Sequence, residues 1–493
     1  MRRIARRFLD SRSPPPPSPG LLPAGDAAPL AEPGQFEGAI APPEPGSPEP
    51  EAPEPRPATR DSAFIRYGAE AIRWTVFIMI LVSATIGLLF ITRGTAVRHV
   101  RGIGADTTVV APAEPGFPLL VSLLTGTSLV SGNRVELALD GDGTFPRLWA
   151  DLRSARESIT LQMYYAQSGL VADSLGAILE ERARAGVAVA VLYDAFGAQE
   201  LGGAFADRLR AAGARVVSFR PLRFENLWVV QNRSHVRGIV VDGQVGWTGG
   251  FGIDDKWLGD GRAGTGWRET NVRFEGPAVL QLMGAFAAGW AEATGEIFTG
   301  HLTLARREDG VAAAGLLFTA PTLGSTPAER YLALSIAGAR RRLYITNAYF
   351  APDTNFVALL TRAARRGVDV RLLVGGPRTD VRAARLAAHA RYETMMDAGI
   401  RIYEYQPTTL HAKTFVVDGT WSSIGTMNFD NRSLALNDES TLMVLDSTFG
   451  RQMEAMFHED LRYARAIDPV AFRRRPWYRH VAEWAANQLT RLL

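Results

Sequence analysis

The sequence contains no cysteine. That absence excludes disulfide bridges, thiolate nucleophiles and cysteine-ligated zinc, and it leaves the redox compartment open. Lysine is almost missing too: of the 54 basic residues only Lys256 and Lys413 are lysines, the others being arginine. Under such a bias a lysine inside a motif is informative. Excess charge is also lacking. The net charge is +3, so a pI near 9.2 does not by itself point to nucleic acid. What the chain has is length and apolar content: 493 residues at 46% hydrophobic suffice for two or three domains with buried cores.

Residues 1–70 hold more than half of the 29 prolines, including Pro14 to Pro17 and a Pro/Glu-rich run from Pro42 to Pro57. With few large apolar side chains to offset ordering entropy, this stretch is predicted to be a disordered tail. Trp74 to Thr92 is a run of nineteen uncharged residues between Arg73 and Arg93. At about 1.5 Å per residue it matches a bilayer core, so a transmembrane helix is predicted over 71–93, with a linker over 94–115. Basic residues flank the run too evenly to orient it. Near the C-terminus, Trp477, Val481, Trp484, Leu489 and Leu492 follow an arginine cluster. They suit either a membrane interface or a helix packed on the domain.

From about Pro115 the pattern is α/β, and it occurs twice. Ile159–Tyr165 reads as a strand, 172–185 as a helix stopped by Gly186, and Val187–Tyr193 as a fully buried strand. Leu343–Phe350, a helix from Asn355 stopped by Gly367, and Val368–Val374 repeat that order. Domains are accordingly expected over 116–300 and 301–493. The spacing is too long for a short solenoid repeat, whose period is about 20–50 residues.

Each half carries one histidine-based element. In the second, His411-Ala412-Lys413 leads an apolar run to Asp418-Gly419, followed by Gly425-Thr426-Met427-Asn428. Two positions of alternation put the imidazole and the ammonium on one side of an extended chain. Imidazole, fixed cation and amide donors together suit phosphate chemistry. The first half has His235-Val236-Arg237 before Asp242-Gly243, then Gly249-Gly250-Phe251-Gly252. Arginine replaces the lysine, and Gly252 stands where the second copy has Asn428. Tyr164, Tyr165, Tyr349 and Phe350, at strand ends, are expected in the core.

Two His-x-basic-x4-Asp elements in a duplicated α/β chain resemble the phospholipase D superfamily, and within it bacterial cardiolipin synthases in particular. Trp267-Arg268-Glu269-Thr270-Asn271 and Asn428 to Ser433 with Asn437-Asp438-Glu439 extend the likeness beyond the motifs. The resemblance implies two tandem phospholipase D-like α/β domains packed around one composite active site. It implies His235 as nucleophile, forming a phosphohistidine, and His411 as general acid and base. Lys413 and Arg237 would hold the non-bridging oxygens, with Asn428, Thr426 and Gly250 lining the substrate. Glu439 is expected to orient His411, and Glu269 to orient His235. Asp242 and Asp418 are expected to order their turns. No cofactor or metal is required.

The activity so implied is phosphatidyl transfer between two phosphatidylglycerol molecules with release of glycerol, by a protein anchored in a bacterial cell membrane. Phospholipid hydrolysis is the alternative. A lipid-binding pseudoenzyme is another, given Arg237 and Gly252. Low net charge and the apolar run argue against a nucleic-acid substrate. The oligomeric state is left open.

Overall fold

The computed structural model describes residues 60–92, 109–222, 232–264, 266–298, 310–321 and 326–488. The tail expected over 1–70 and the linker over 94–115 fall largely outside the described residues. The chain divides into two compact units, Met1–Trp74 and Thr75–Leu493. In the first, the described part is the beginning of the helix Arg60–Thr92.

That helix carries the uncharged run, and its side chains from Ala71 to Thr85 are exposed. Among the described residues, however, no helix is long and apolar enough to cross a membrane. The span expected over 71–93 is therefore not supplied by them. The side chains at 86, 87 and 89–92 lie outside the description, and what is left of the run is shorter than the roughly 20 residues a bilayer needs.

Among the described residues of the second unit, fifteen strands form one sheet. Two sets of seven run in matched order from its edges to its middle. The first set is Arg215–Phe219, Ala188–Asp194, Ser158–Met163, Gly238–Val241, Val245–Gly249, Thr270–Glu275 and Val130–Leu139. The second is Arg401–Tyr405, Asp369–Val374, Arg342–Asn347, Lys413–Val417, Trp421–Gly425, Glu439–Leu445 and Ala312–Thr319. Val130–Leu139 and Ala312–Thr319 pair antiparallel and join the two sets. A short strand, Ala464–Ala466, borders the second set.

The outer strands of each set are parallel and joined by helices, Leu170–Arg184 in the first and Thr354–Arg365 in the second. Crossover helices cover such strands, which explains their unbroken apolar runs. Gly186 (φ 89°) and Gly367 (φ 92°) end the two helices in the left-handed conformation that glycine adopts without a Cβ clash. A cluster shared by both halves includes Val240, Val272 and Phe274 with Leu410, Ala412 and Leu442. Burial of that cluster holds the repeats together.

The hairpins that follow the two histidines are built alike. Asp242 and Gly243 have φ of 52° and 64°, Asp418 and Gly419 of 54° and 67°. Asp242 accepts the backbone N–H of Arg156, Glu157 and Ser158 at 2.8–2.9 Å. Asp418 accepts those of Arg340, Arg341 and Arg342 at 2.7–2.9 Å. In each half one carboxylate thus ties the hairpin to the start of the neighbouring strand.

Candidate active site

Neither histidine belongs to a strand proper. The strands begin at Gly238 and Lys413, and His235 and His411 lie in the extended segments that lead into them. Each lead-in pairs in parallel with a segment of the other half. His235 donates its N–H to the Asp438 carbonyl, and Asp438 donates to Arg233, both at 2.9 Å. His411 donates to the Arg268 carbonyl at 2.8 Å, and Arg268 to Thr409 at 2.9 Å.

Glu439 and Glu269 each follow their bridging residue by one position, so each carboxylate reaches the ring in the opposite half. His235 Nδ1 lies 2.8 Å from Glu439, and His411 Nδ1 lies 2.6 Å from Glu269. This corrects the expectation from sequence, which paired Glu439 with His411 and Glu269 with His235. The reason is topological: the bridges cross between the halves, and a reading of each half alone assigns each ring the wrong carboxylate.

Both pairs are buried. Glu269 also accepts Trp257 Nε1–H at 3.1 Å and the Thr270 N–H at 3.0 Å. Glu439 accepts the Thr426 hydroxyl and, at 3.3 Å, Asn437 Nδ2. Burial alone would raise the Glu269 carboxyl, but His411 and Lys413 outweigh it and hold the group down at about 2. Glu439 is likewise lowered against burial, by His235. Burial pushes both imidazoles below their ordinary value, His411 further, with Lys413 adding to the effect. A neutral ring that donates from Nδ1 to an ionised carboxylate leaves Nε2 with a lone pair. That is the form a nucleophile or general base requires.

The cations stand beside those nitrogens. Arg237 places Nη2 3.3 Å from His235 Nε2, while Nη1 donates to the Gly250 carbonyl. Lys413 Nζ lies against the His411 ring, 2.8 Å from Nδ1 and 2.9 Å from Nε2, and also donates to the His411 carbonyl. Burial pushes the Lys413 ammonium down to about 7. Arg268 is fixed by two bonds to Asp460, at 2.8 and 2.7 Å, with Asp140 at 3.3 Å. The bridge that carries His411 is thereby locked from both halves.

A cavity of about 370 Å³ opens onto His235, His411, Arg237 and Asn428. Lys413 borders a smaller void with Asn347 and Asn428, and Asn428 lines both spaces. Thr426 and Gly250, expected against substrate, instead face Glu439 and Arg237. Tyr164, Tyr165 and Tyr349 line the cavity, contrary to the expectation that placed them in the core; Tyr165 packs against the first half's core as well, and Phe350 packs inside. Tyr164 meets His235 edge-on at 4.7 Å, and Tyr349 meets His411 at 5.8 Å.

Gly252 has a clear packing role. A Cβ there would come within 2.6–2.7 Å of the Trp257 ring. In the first half an indole therefore fills the space that the Asn428 side chain takes in the second, and its N–H serves the carboxylate. Trp257 and Lys256 were not legible as site residues from any motif, although the rarity of lysine was a signal for Lys256; Trp267 opens a segment that carries the family likeness, but no role for it was legible there. Among the described residues no group of three or more His, Asp or Glu could hold a metal ion.

The family described as "Cardiolipin synthase, PLD-like domain" matches residues 148–290 and 332–461, one segment in each half. Cardiolipin synthase A of Pseudomonas syringae pv. syringae is 35% identical over 339 residues, covering 69% of this chain and 70% of that protein. The cardiolipin synthase of Geobacillus kaustophilus is 34% identical over 365 residues, covering 73% and 72%. In fold, the crystal structure of phosphatidylserine synthase from Haemophilus influenzae superposes with a TM-score of 0.55 at 13% identity, covering 76% of this chain and 97% of that one. The duplicated motifs, the matched halves and these similarities agree: the chain belongs to the cardiolipin synthase family of phospholipase D-like transferases.

Proposed function

We propose that the protein joins two phosphatidylglycerol molecules into cardiolipin and glycerol through a phosphohistidine intermediate. The observation that carries this reading is the pair of carboxylate-held imidazoles facing one cavity, each with a cation against its ring nitrogens. His235 Nε2 attacks the donor phosphorus. His411 enters this step as the imidazolium, its Nδ1–H held by Glu269, and gives its Nε2 proton to the departing glycerol oxygen, while a phosphatidyl group remains on His235. His411 then takes the proton from the glycerol hydroxyl of a second phosphatidylglycerol. That oxygen attacks the same phosphorus, and His235 is released. Arg237 and Lys413 stabilise the charge that grows on the non-bridging oxygens. Attack from one face and departure from the other require two rings on opposite sides of the phosphorus, which a composite of two half-sites can supply.

Attachment to a bacterial membrane belongs to the same proposal. It is supported by the exposed apolar side chains Ile72, Trp74 and Val76 to Val82, and by exposed Trp477, Tyr478, Val481 and Trp484 on the helix Trp477–Gln488. Incubation of the purified full-length protein with phosphatidylglycerol, followed by mass analysis of the lipids, tests the reading. Cardiolipin with an equal amount of glycerol is expected. Phosphatidic acid without cardiolipin would replace it with hydrolysis.

A further inference from the structure

Lys256 is the other of the two lysines in the chain, and it faces the same cavity as both histidines. It sits in the short turn Asp255–Trp257, whose N-cap Asp254 accepts the Lys256 N–H at 2.9 Å. The ammonium lies 3.6 Å from the ring centre of Tyr165, 4.3 Å from Trp267 and 4.7 Å from Trp257. Three ring faces hold the charge in place without using its hydrogen-bonding capacity. Among the described residues its one ion-pair partner is Asp254, at 3.5 Å. That is well beyond the roughly 2.7–2.9 Å of a charge-assisted contact. The site is a positioned cation with donors to spare.

Its position relates it to one histidine in particular. The two indoles under the ammonium also touch the His411 ring, Trp267 at 5.1 Å and Trp257 at 5.5 Å between centres. Trp257 further donates to Glu269, the carboxylate that holds His411. Lys256 is thus separated from the His411 ring by the width of an indole. A phosphate in contact with both imidazoles, Arg237 and Lys413 has no need of this ammonium, which lies one ring further out.

We propose that Lys256 is the centre of a second anion subsite, which takes the phosphate of the acceptor phospholipid while His411 activates that lipid's hydroxyl. In phosphatidylglycerol the attacking hydroxyl is separated from its own phosphate by a glycerol unit, so an acceptor poised at His411 carries a phosphate a short way off. Water carries none. The subsite therefore selects a phospholipid acceptor over water and favours transfer over hydrolysis. The inference rests on the transferase reading above, and the experiment separates the failure of each.

Full-length wild type, Lys256→Met and Lys256→Arg are assayed in mixed micelles over a range of phosphatidylglycerol. Glycerol released in the first turnover, cardiolipin and phosphatidic acid are measured together. First-turnover glycerol reports attack on the donor and serves as the control for folding. For Lys256→Met the phosphatidylglycerol concentration giving half-maximal cardiolipin is expected to rise about tenfold or more, the size of one lost contact to a charged group. Phosphatidic acid should rise at the expense of cardiolipin, and Lys256→Arg should restore most of the wild-type ratio. An unchanged half-maximal concentration and product ratio in Lys256→Met would overturn the subsite. So would a fall in first-turnover glycerol equal to the fall in cardiolipin, which would make Lys256 a support for the catalytic ring. If the wild type itself yields only phosphatidic acid, the transferase reading fails and the acceptor subsite with it.

Discussion

Replacing Glu439 with glutamine keeps the shape of the side chain but removes the charge that faces His235. In the native site His235 Nδ1 is 2.8 Å from that carboxylate, in surroundings closed to solvent. As Nε2 bonds to phosphorus the ring becomes cationic, and the carboxylate is the group that stabilises it. A hydrogen bond to a charged partner contributes about 1.5–3 kcal/mol. Its loss should slow phosphoenzyme formation roughly 10- to 150-fold, at about 1.4 kcal/mol per factor of ten. The assay is the rate of glycerol release in the first turnover after rapid mixing with phosphatidylglycerol micelles. Glu269→Gln, which acts on His411, provides the comparison, because its effect should extend to the acceptor step as well. A first-turnover rate unchanged in Glu439→Gln would refute the argument, since the carboxylate across the interface would then be idle.

Further predictions follow from the asymmetry of the two half-sites. Arg237→Lys, although it restores the residue type of the second half, should lower activity about tenfold or more. A lysine cannot reach both the Gly250 carbonyl and His235 Nε2 as the guanidinium does; the rate of cardiolipin formation decides it. Gly252→Asn should lower the melting temperature, because its Cβ would come within 2.6 Å of Trp257, and overpacking costs about 1–3 kcal/mol. For pH, the groups of the free protein govern kcat/KM. Lys413 is cationic below about 7 and neutral above it, so kcat/KM should fall as pH rises through that value. Attack on the donor needs His235 neutral and His411 protonated, and burial holds both imidazoles below their usual 6.5, so the acid limb set by His235 and the first alkaline fall set by His411 should both lie on the low side of that value.

Much of this site was legible in the sequence, and what was hidden has one common cause. The repeat, the two His-x-basic-x4-Asp elements and the turn role of Asp242 and Asp418 are local features, encoded by spacing and by residue type. The partner of each imidazole is not local. Within one half Glu439 follows His411 at a plausible distance along the chain, yet the parallel bridges Ser234–Asp438 and Arg268–Leu410 carry each carboxylate to the other ring. The three tyrosines were placed wrongly for a related reason. A strand end looks apolar whether it meets the core or a cavity, and the cavity exists only once the halves are joined. The exchange of Asn428 for Gly252 reads as a lost donor until Trp257 is seen over the glycine, with its N–H on Glu269. The apolar run Trp74–Thr92 is legible from composition alone, and its described side chains, 74–85 and 88, are exposed.

The central claim is that the two half-sites make one active site working through a covalent phosphohistidine. Rapid quenching during turnover of phosphatidylglycerol, followed by peptide mapping by mass, tests it most directly. A phosphatidyl adduct is expected on the peptide containing His235 in the wild type, formed more slowly in His411→Ala and absent in His235→Ala. Cardiolipin formation with no adduct on either histidine would contradict the account.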